Sequence, residues 1–220
     1  KRVLDAVLAG LLIIGLLPLL PLIAIAILIE TGRPVFFSQE RIGSRRVRLN
    51  GEWVWRPESF TCYKFRTMYV GQPAKMHEDY MLAYIAGDEA ALASYRPADK
   101  SGPTYKLSED SRVTRVGRFL RATSLDELPQ LWNVLIGDMS LVGPRPPIPY
   151  EVAVYQRSAM NRFATTPGIT GLWQVSGRSD LSFDQMIDLD TEYIRRQSIG
   201  LDIAILLRTI PAVLSRKGAG

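Results

Sequence analysis

The sequence predicts an α+β fold: a mainly helical, monotopic membrane domain with a small β-hairpin or sheet and a re-entrant N-terminal membrane helix. Three observations carry that expectation. An uncharged stretch of 24 residues spans positions 6–29, two short β-rich runs flank an Asn50-Gly51 pair, and much of the remainder has helical apolar spacing. The 220 residues are 47% hydrophobic, with 27 Lys+Arg against 22 Asp+Glu and a net charge of +5. That composition excludes intrinsic disorder, collagen-like repeats and a disulfide scaffold. Cys62 is the only cysteine and His77 the only histidine. An intrachain disulfide is therefore impossible, a Cys/His zinc site is disfavoured, and a Ser-His-Asp site would have to use His77.

The N-terminal stretch comes first in the chain. A straight helix over residues 6–29 would reach roughly 36 Å, against roughly 30 Å of bilayer hydrocarbon. A transmembrane helix is the default reading; a cleaved signal peptide fits poorly, since the run is long and no A-x-A site follows. Pro18 and Pro21 remove the donors for the carbonyls of Ile14 and Leu17, which predicts two breaks one turn apart. Lys1 and Arg2 precede the run, and Arg33, Arg41, Arg45, Arg46 and Arg48 follow it. Positive charge on both flanks predicts that both ends stay on the cytoplasmic side. The expected organisation is a helix-break-helix over residues 1–32 and a cytoplasmic domain over residues 33–220.

Within that domain, residues 35–42 and 60–66 read as strands separated by a polar loop holding the Asn50-Gly51 hairpin signal. Trp53 and Trp55 in that loop suit a lipid interface. Residues 73–111 are locally acidic and read as an insert, with helical patterns at 75–86 and 88–95 and a turn-rich mobile loop at 96–108. Trp132 and Trp173 read as packing residues, and His77 and Cys62 as incidental. Residues 199–214 are apolar on most of their surface and precede Arg216-Lys217, which fits either a core helix or an interfacial helix on lipid.

The chemistry concentrates in residues 112–146. Arginines 112, 115, 118 and 121 recur every third residue, which by itself describes a solvated basic face. Ser124 and Glu127 have capping-box spacing and would open a helix running to about Ile136, with Gly137 ending it. Asp126 and Glu127 could then be plain helix caps. Their surroundings argue for more. A helix N-terminus attracts phosphate, adjacent carboxylates suit Mg²⁺, and Gly143-Pro144-Arg145-Pro146-Pro147 holds a guanidinium on a stiff segment. Carboxylates, a metal and arginines together make an apparatus for phosphoryl transfer. No Walker A pattern or GxGxxG occurs. Arg66 reads as a phosphate ligand or as the partner of a buried carboxylate, and Arg178, after a glycine turn, reads as facing a ligand ahead of forming a surface salt bridge. Asp202, inside an apolar helix, needs an arginine partner or a substrate.

The string SLDELPQLWNVLIGDMSLVGPRP at 124–146 resembles the signature of the bacterial sugar transferases, the monotopic polyprenyl-phosphate phosphoglycosyl transferases. The resemblance extends over PVFFSQERIG at 34–43, YKFRTM at 63–68, PGITGLWQVSGRS at 167–179 and the Asp190, Tyr193 and Asp202 pattern. It implies transfer of a sugar-1-phosphate from a UDP-sugar to undecaprenyl phosphate, releasing UMP, at the cytoplasmic face of the bacterial inner membrane. It further implies Asp126 as nucleophile in a covalent phosphosugar intermediate, and Glu127 as the residue associated with Mg²⁺ and with activation of the acceptor. Arg121, Arg145 and Arg178 match the arginines near the phosphates, and Asp202 a further acidic position. Membrane lipid is an expected partner, a second copy of the chain an admissible one, and nucleic acid is not expected. Family members commonly carry Ser-Pro at the helix break, where this chain has Leu17-Pro18 and an additional Pro21. The chain resembles the catalytic core of longer members. A non-catalytic scaffold or chain-length regulator and a bitopic protein are the rival readings.

Overall fold

A proline decides the shape of the N-terminus. A computed structural model describes residues 1–71, 75–95 and 110–215, and in it helix α1 (Arg2–Leu16) meets α2 (Leu19–Thr31) at a bend of 62°. One break forms where two were expected. Pro18 caps α2, and Pro21 falls in its first turn, where a missing N–H leaves no ladder bond unmade. With 15 and 13 residues, the limbs reach about 22 and 20 Å. Among the described residues no single helix is long and apolar enough to cross a membrane.

Helix α1 is tied to the rest of the chain by its charged end. Arg2 donates to the carbonyls of Val134 and Leu135, satisfying the end of helix α6 (Gln130–Ile136). The buried Asp5 carboxylate accepts from Ser140 Oγ at 2.9 Å and from the Leu141 amide at 3.2 Å. Ala9 is fully buried, while Val3, Val7, Leu11 and Ile14 on α1, and Leu22, Ile25 and Ile29 on α2, are exposed. At the far end, Glu30 accepts from the backbone amides of Arg115 (2.7 Å) and Val116 (3.0 Å), capping helix α5 (Arg115–Ala122).

The hairpin is longer than expected. Strands β1 (Phe36–Leu49) and β2 (Glu52–Phe65) pair without interruption from Phe36↔Phe65 to Leu49↔Glu52, so the expected polar loop is strand. Asn50 (φ +50°) and Gly51 (φ +89°) make the two-residue turn, both in the left-handed region that such hairpins require. The loop reading failed because each face there mixes basic and apolar side chains: Arg46 lies opposite Trp55 and Arg48 opposite Trp53 on one, and Val47 opposite Val54 between Arg45 and Leu49 on the other. The hairpin base is fixed by Arg41, which donates to the Pro146 carbonyl (3.0 Å), and by the Ile42 amide bonding Pro147 O (2.9 Å). A second, parallel pair joins β3 (Ser140–Val142) to β4 (Gly168–Thr170). A Cβ on Gly168 would lie 2.0 Å from the Gly143 amide nitrogen, so only glycine permits that approach.

The remaining described helices are α3 (Lys75–Ala86), α4 (Glu89–Ala93), α7 (Pro149–Ala153), α8 (Leu172–Ser176), α9 (Phe183–Arg196) and α10 (Ile199–Leu214). The fold is mostly helical with the small antiparallel sheet that the sequence predicts. The main core gathers Ala9, Cys62, Leu131, Val134, Leu141, Leu172, Tyr193 and Ile205. A second cluster packs Tyr80, Met81, Tyr84 and Leu92 on Trp173 and Met186, so α3 and α4 pack against α8 and α9. The loop expected at 96–108 lies outside the described residues. Helix α10 buries Asp202 and Ile205 and exposes Ile203, Leu207 and Ile210, combining a core face with an apolar outer face. Trp173 packs as expected, but Trp132 does not, being 55% exposed on α6.

Candidate active site

The Asp126–Glu127 pair lies on a short 3-10 turn, Leu125–Glu127, between α5 and α6. The expected capping box is absent. Ser124 has φ +55°, makes no side-chain cap, and the regular helix starts only at Gln130. Pro129 has no N–H to close the α-helical ladder, so the chain runs on i+3 bonds, Glu127 to Ser124 O and Leu128 to Leu125 O, both 3.3 Å. Gly137, with φ +99°, ends α6 as expected. Asp126 is buried and Glu127 half-buried.

Lys64, near the end of β2, reaches Glu127 Oε1 at 2.6 Å. Sequence reasoning missed this residue, although it stands in the same YKFRTM string that yielded Arg66. Arg121 donates from Nε to Thr67 Oγ1 at 3.0 Å. Burial lowers the pKa of its guanidinium, and the charges of Asp126 and Asp110 oppose that shift. Arg178, with φ +51°, donates to the Gln174 carbonyl at 3.3 Å; burial lowers its pKa and the Glu127 charge opposes it. Arg145 is half-buried on the segment that Arg41 and the Ile42 amide hold through Pro146 and Pro147.

The arginine ladder divides. Arg115 and Arg118 are exposed. Arg112 precedes α5 and pairs with Asp110 at 2.6 Å. Burial would raise the Asp110 pKa, but hydrogen bonds from the Arg112 side chain and amide hold it below the usual carboxylate range. His77 feels the same cations. Burial first, then Arg145, Arg41, Arg112 and Arg121, lower its pKa from 6.5 to about 4, so the imidazole is neutral at pH 7. These mutual influences put Asp126, Glu127, Lys64 and Arg41, Arg112, Arg121, Arg145 and Arg178 into one electrostatic neighbourhood. It is rich in cations around two carboxylates, an arrangement suited to holding phosphates.

Two expected site residues are committed elsewhere. Arg66 donates to Thr31 Oγ1 and to the Gly32 carbonyl (2.7 Å), so it binds the end of α2 and neither a carboxylate nor the cluster. Free helix-end carbonyls carry partial negative charge and also attract a guanidinium. Asp202 accepts from Lys1 Nζ and Tyr193 Oη, each at 2.7 Å, and Tyr193 Oη also donates to Val142 O (3.0 Å). Its partners are a lysine and a tyrosine, not the expected arginine, and they anchor α1 to α10 and β3. A separate buried pair joins Arg162 to Asp190 at 2.6 Å, with Arg162 also donating to Tyr155 Oη. Burial raises the Asp190 pKa to about 6 against the pull of Arg162.

Among the described residues no group of three His, Cys, Asp or Glu side chains could hold a metal ion. The adjacent hard oxygens of Asp126 and Glu127 nonetheless fit Mg²⁺, which takes one or two carboxylates and completes its shell with water and substrate phosphate.

A family model described as bacterial sugar transferase matches residues 1–216. A UDP-galactose-lipid carrier transferase from Erwinia amylovora is 41% identical over 219 residues, all of this chain and 41% of that protein. The undecaprenyl-phosphate galactose phosphotransferase of Salmonella typhimurium is 42% identical over 188 residues, 86% of this chain and 35% of that protein. The exopolysaccharide production protein ExoY of Sinorhizobium fredii is 38% identical over 219 residues, the whole of this chain and 87% of that protein. The chain thus spans less than half of the first two relatives and most of the third.

Proposed function

Since this chain belongs to the bacterial sugar transferase family, we propose that it transfers a sugar-1-phosphate from a UDP-sugar to undecaprenyl phosphate, starting a membrane-linked glycan. The observation that carries the reading is the carboxylate pair Asp126–Glu127 set among Lys64, Arg121, Arg145 and Arg178. The names of two relatives, a UDP-galactose-lipid carrier transferase and an undecaprenyl-phosphate galactose phosphotransferase, point the same way.

In this scheme the arginines bind the donor diphosphate. An Asp126 carboxylate oxygen attacks the phosphorus that bears the sugar, and the bond from that phosphorus to the bridging oxygen breaks. UMP leaves with the electron pair. A phosphate oxygen of undecaprenyl phosphate then attacks the same phosphorus and frees Asp126, giving the polyprenyl diphosphate sugar. Lys64 holds the Glu127 carboxylate in place through its 2.6 Å contact. Mg²⁺, held by Asp126 and Glu127, would supply charge neutralisation on the transferring phosphate.

A re-entrant seat in the cytoplasmic leaflet of the inner membrane completes the proposal. The bend of 62°, the short limbs and the exposed apolar faces of α1, α2 and α10 support it. A soluble nucleotide sugar and a lipid phosphate could then meet at one interface. The test is UMP release from a panel of UDP-sugars with undecaprenyl phosphate, with and without EDTA. Release with at least one sugar, stopped by EDTA and restored by Mg²⁺, is expected. No release with any sugar contradicts the transferase reading, and full activity in EDTA contradicts the metal.

A further inference from the structure

Helix α3 brings a residue of no obvious chemistry to the edge of the arginine cluster. Its inward positions are Tyr80, Met81 and Tyr84, all buried, with half-buried His77 one turn before Met81. Met81 lines a small cavity together with Arg145, Glu151, Tyr155 and Trp173. His77 Nδ1 lies 3.0 Å from Tyr150 Oη, the phenol of the second residue of α7. Nε2 makes no hydrogen bond among the described residues. The packing of α3 on Trp173 and Met186 fixes this placement, so His77 is not on a loose surface helix.

We propose that His77, positioned by Tyr150, contacts the uncharged, hydroxyl-bearing part of the donor nucleotide sugar. The inference rests on the donor-site reading of the arginine cluster. The diphosphate offers acceptors only, and Arg121, Arg145 and Arg178 already supply donors for it. A neutral imidazole beside a phenol offers the other kind of recognition. The imidazole nitrogen turned away from Tyr150 can donate or accept, which matches hydroxyls, themselves both donors and acceptors. Burial first, and then the four cations around His77, disfavour its protonated form, so the ring reads hydrogen-bond pattern and not charge. Both the hexose and the ribose carry such hydroxyls, and the two sources separate experimentally.

The experiment uses the full chain in lipid or detergent with a UDP-sugar that it turns over. His77→Phe keeps the ring and loses the hydrogen bonds, His77→Gln keeps polar atoms, and Tyr150→Phe removes one oxygen. His77→Phe is expected to raise the donor KM about tenfold with kcat nearly unchanged, the scale of one lost hydrogen bond. His77→Gln should recover most of the loss, and at pH 7.5, above the range where His77 titrates, all melting points should match the parent. UMP inhibition separates the sources: unchanged in His77→Phe if the hexose is read, weakened alongside KM if the ribose is read. An unchanged donor KM in both His77→Phe and Tyr150→Phe overturns the proposal. So does a loss confined to kcat, or one that follows the melting point and that His77→Gln does not recover. Inactivity of the parent chain with every UDP-sugar would instead contradict the transferase reading itself.

Discussion

Burial shifts the titrations of Asp190 and His77 in opposite directions. Asp190 has its native pKa raised from 3.8 to about 6 by burial. The native state therefore binds the proton more tightly than the unfolded chain, and this contribution to stability is full below about pH 4 and lost as pH rises through about 6. His77 is lowered from 6.5 to about 4, so the unfolded chain binds its proton more tightly. Its contribution is present above about pH 6.5 and lost as pH falls through about 4. The two slopes oppose each other between about pH 4 and 6. Melting points across that window should rise with pH more steeply in Asp190→Asn than in the parent, and less steeply in His77→Gln. Parallel curves for all three proteins would contradict these assignments.

Lys64 and Arg66 show where residue-level reading of the sequence stops. They stand two positions apart in one string, and both are cations suited to phosphate. Lys64 reaches Glu127, whereas Arg66 is taken by the helix end at Thr31 and Gly32. Nothing in their spacing distinguishes a carboxylate partner from a row of carbonyls. Asp202 poses the same difficulty: its burial in an apolar helix announced a partner, and only the fold shows that Lys1, 201 positions away, supplies it.

At the scale of elements, α5 is held in place at its first turn. Glu30 and Thr114 accept from its opening amides, and Gly117 sits so close to Thr67, two residues past β2, that a Cβ would lie 2.1 Å from the Thr67 carbonyl oxygen. The same Thr67 receives Arg121 through its hydroxyl. Gly117→Ala must push α5 off Thr67, because the obstacle is backbone and cannot rotate away. It should lower the melting point and, by displacing Arg121, weaken donor binding several-fold; an unchanged donor KM would contradict the coupling. Glu30→Ala removes one cap and should cost about 1 kcal/mol in thermal or denaturant unfolding, with less effect on turnover. Elements with one dominant signal were legible in advance: the Pro18 bend, the Asn50-Gly51 turn, the Gly137 stop and α10. The long hairpin was not, since its outer half exposes both faces and lacks an apolar alternation. The 3-10 turn at Asp126 was hidden by a capping pattern that Pro129 prevents from forming.

At the scale of the molecule, the excess of five positive charges and the uncharged run have become parts of one arrangement. Arg2 and Asp5 dock α1 on α6 and β3, Glu30 and Arg66 dock the end of α2 on α5 and β2, and the carboxylate pair lies on the turn joining α5 to α6. The bent helices are therefore built into the site's supports at both ends. A re-entrant topology predicts that single cysteines at position 3 and position 33, in a Cys62→Ser background, react with a membrane-impermeant thiol reagent from the cytoplasmic side only. Labelling of the two positions from opposite sides would establish a bitopic chain.

The central claim is that Asp126 carries the phosphosugar between donor and acceptor. Intact-mass measurement of the protein after incubation with its UDP-sugar and Mg²⁺, without acceptor, tests it most directly. The account predicts a mass increase of one sugar phosphate with release of up to one UMP per chain, and discharge on adding undecaprenyl phosphate. Asp126→Asn should show neither, with turnover reduced on the order of 10³-fold or more. An Asp126→Asn chain that turns over at the parent rate, or one that acquires the same mass, would contradict it.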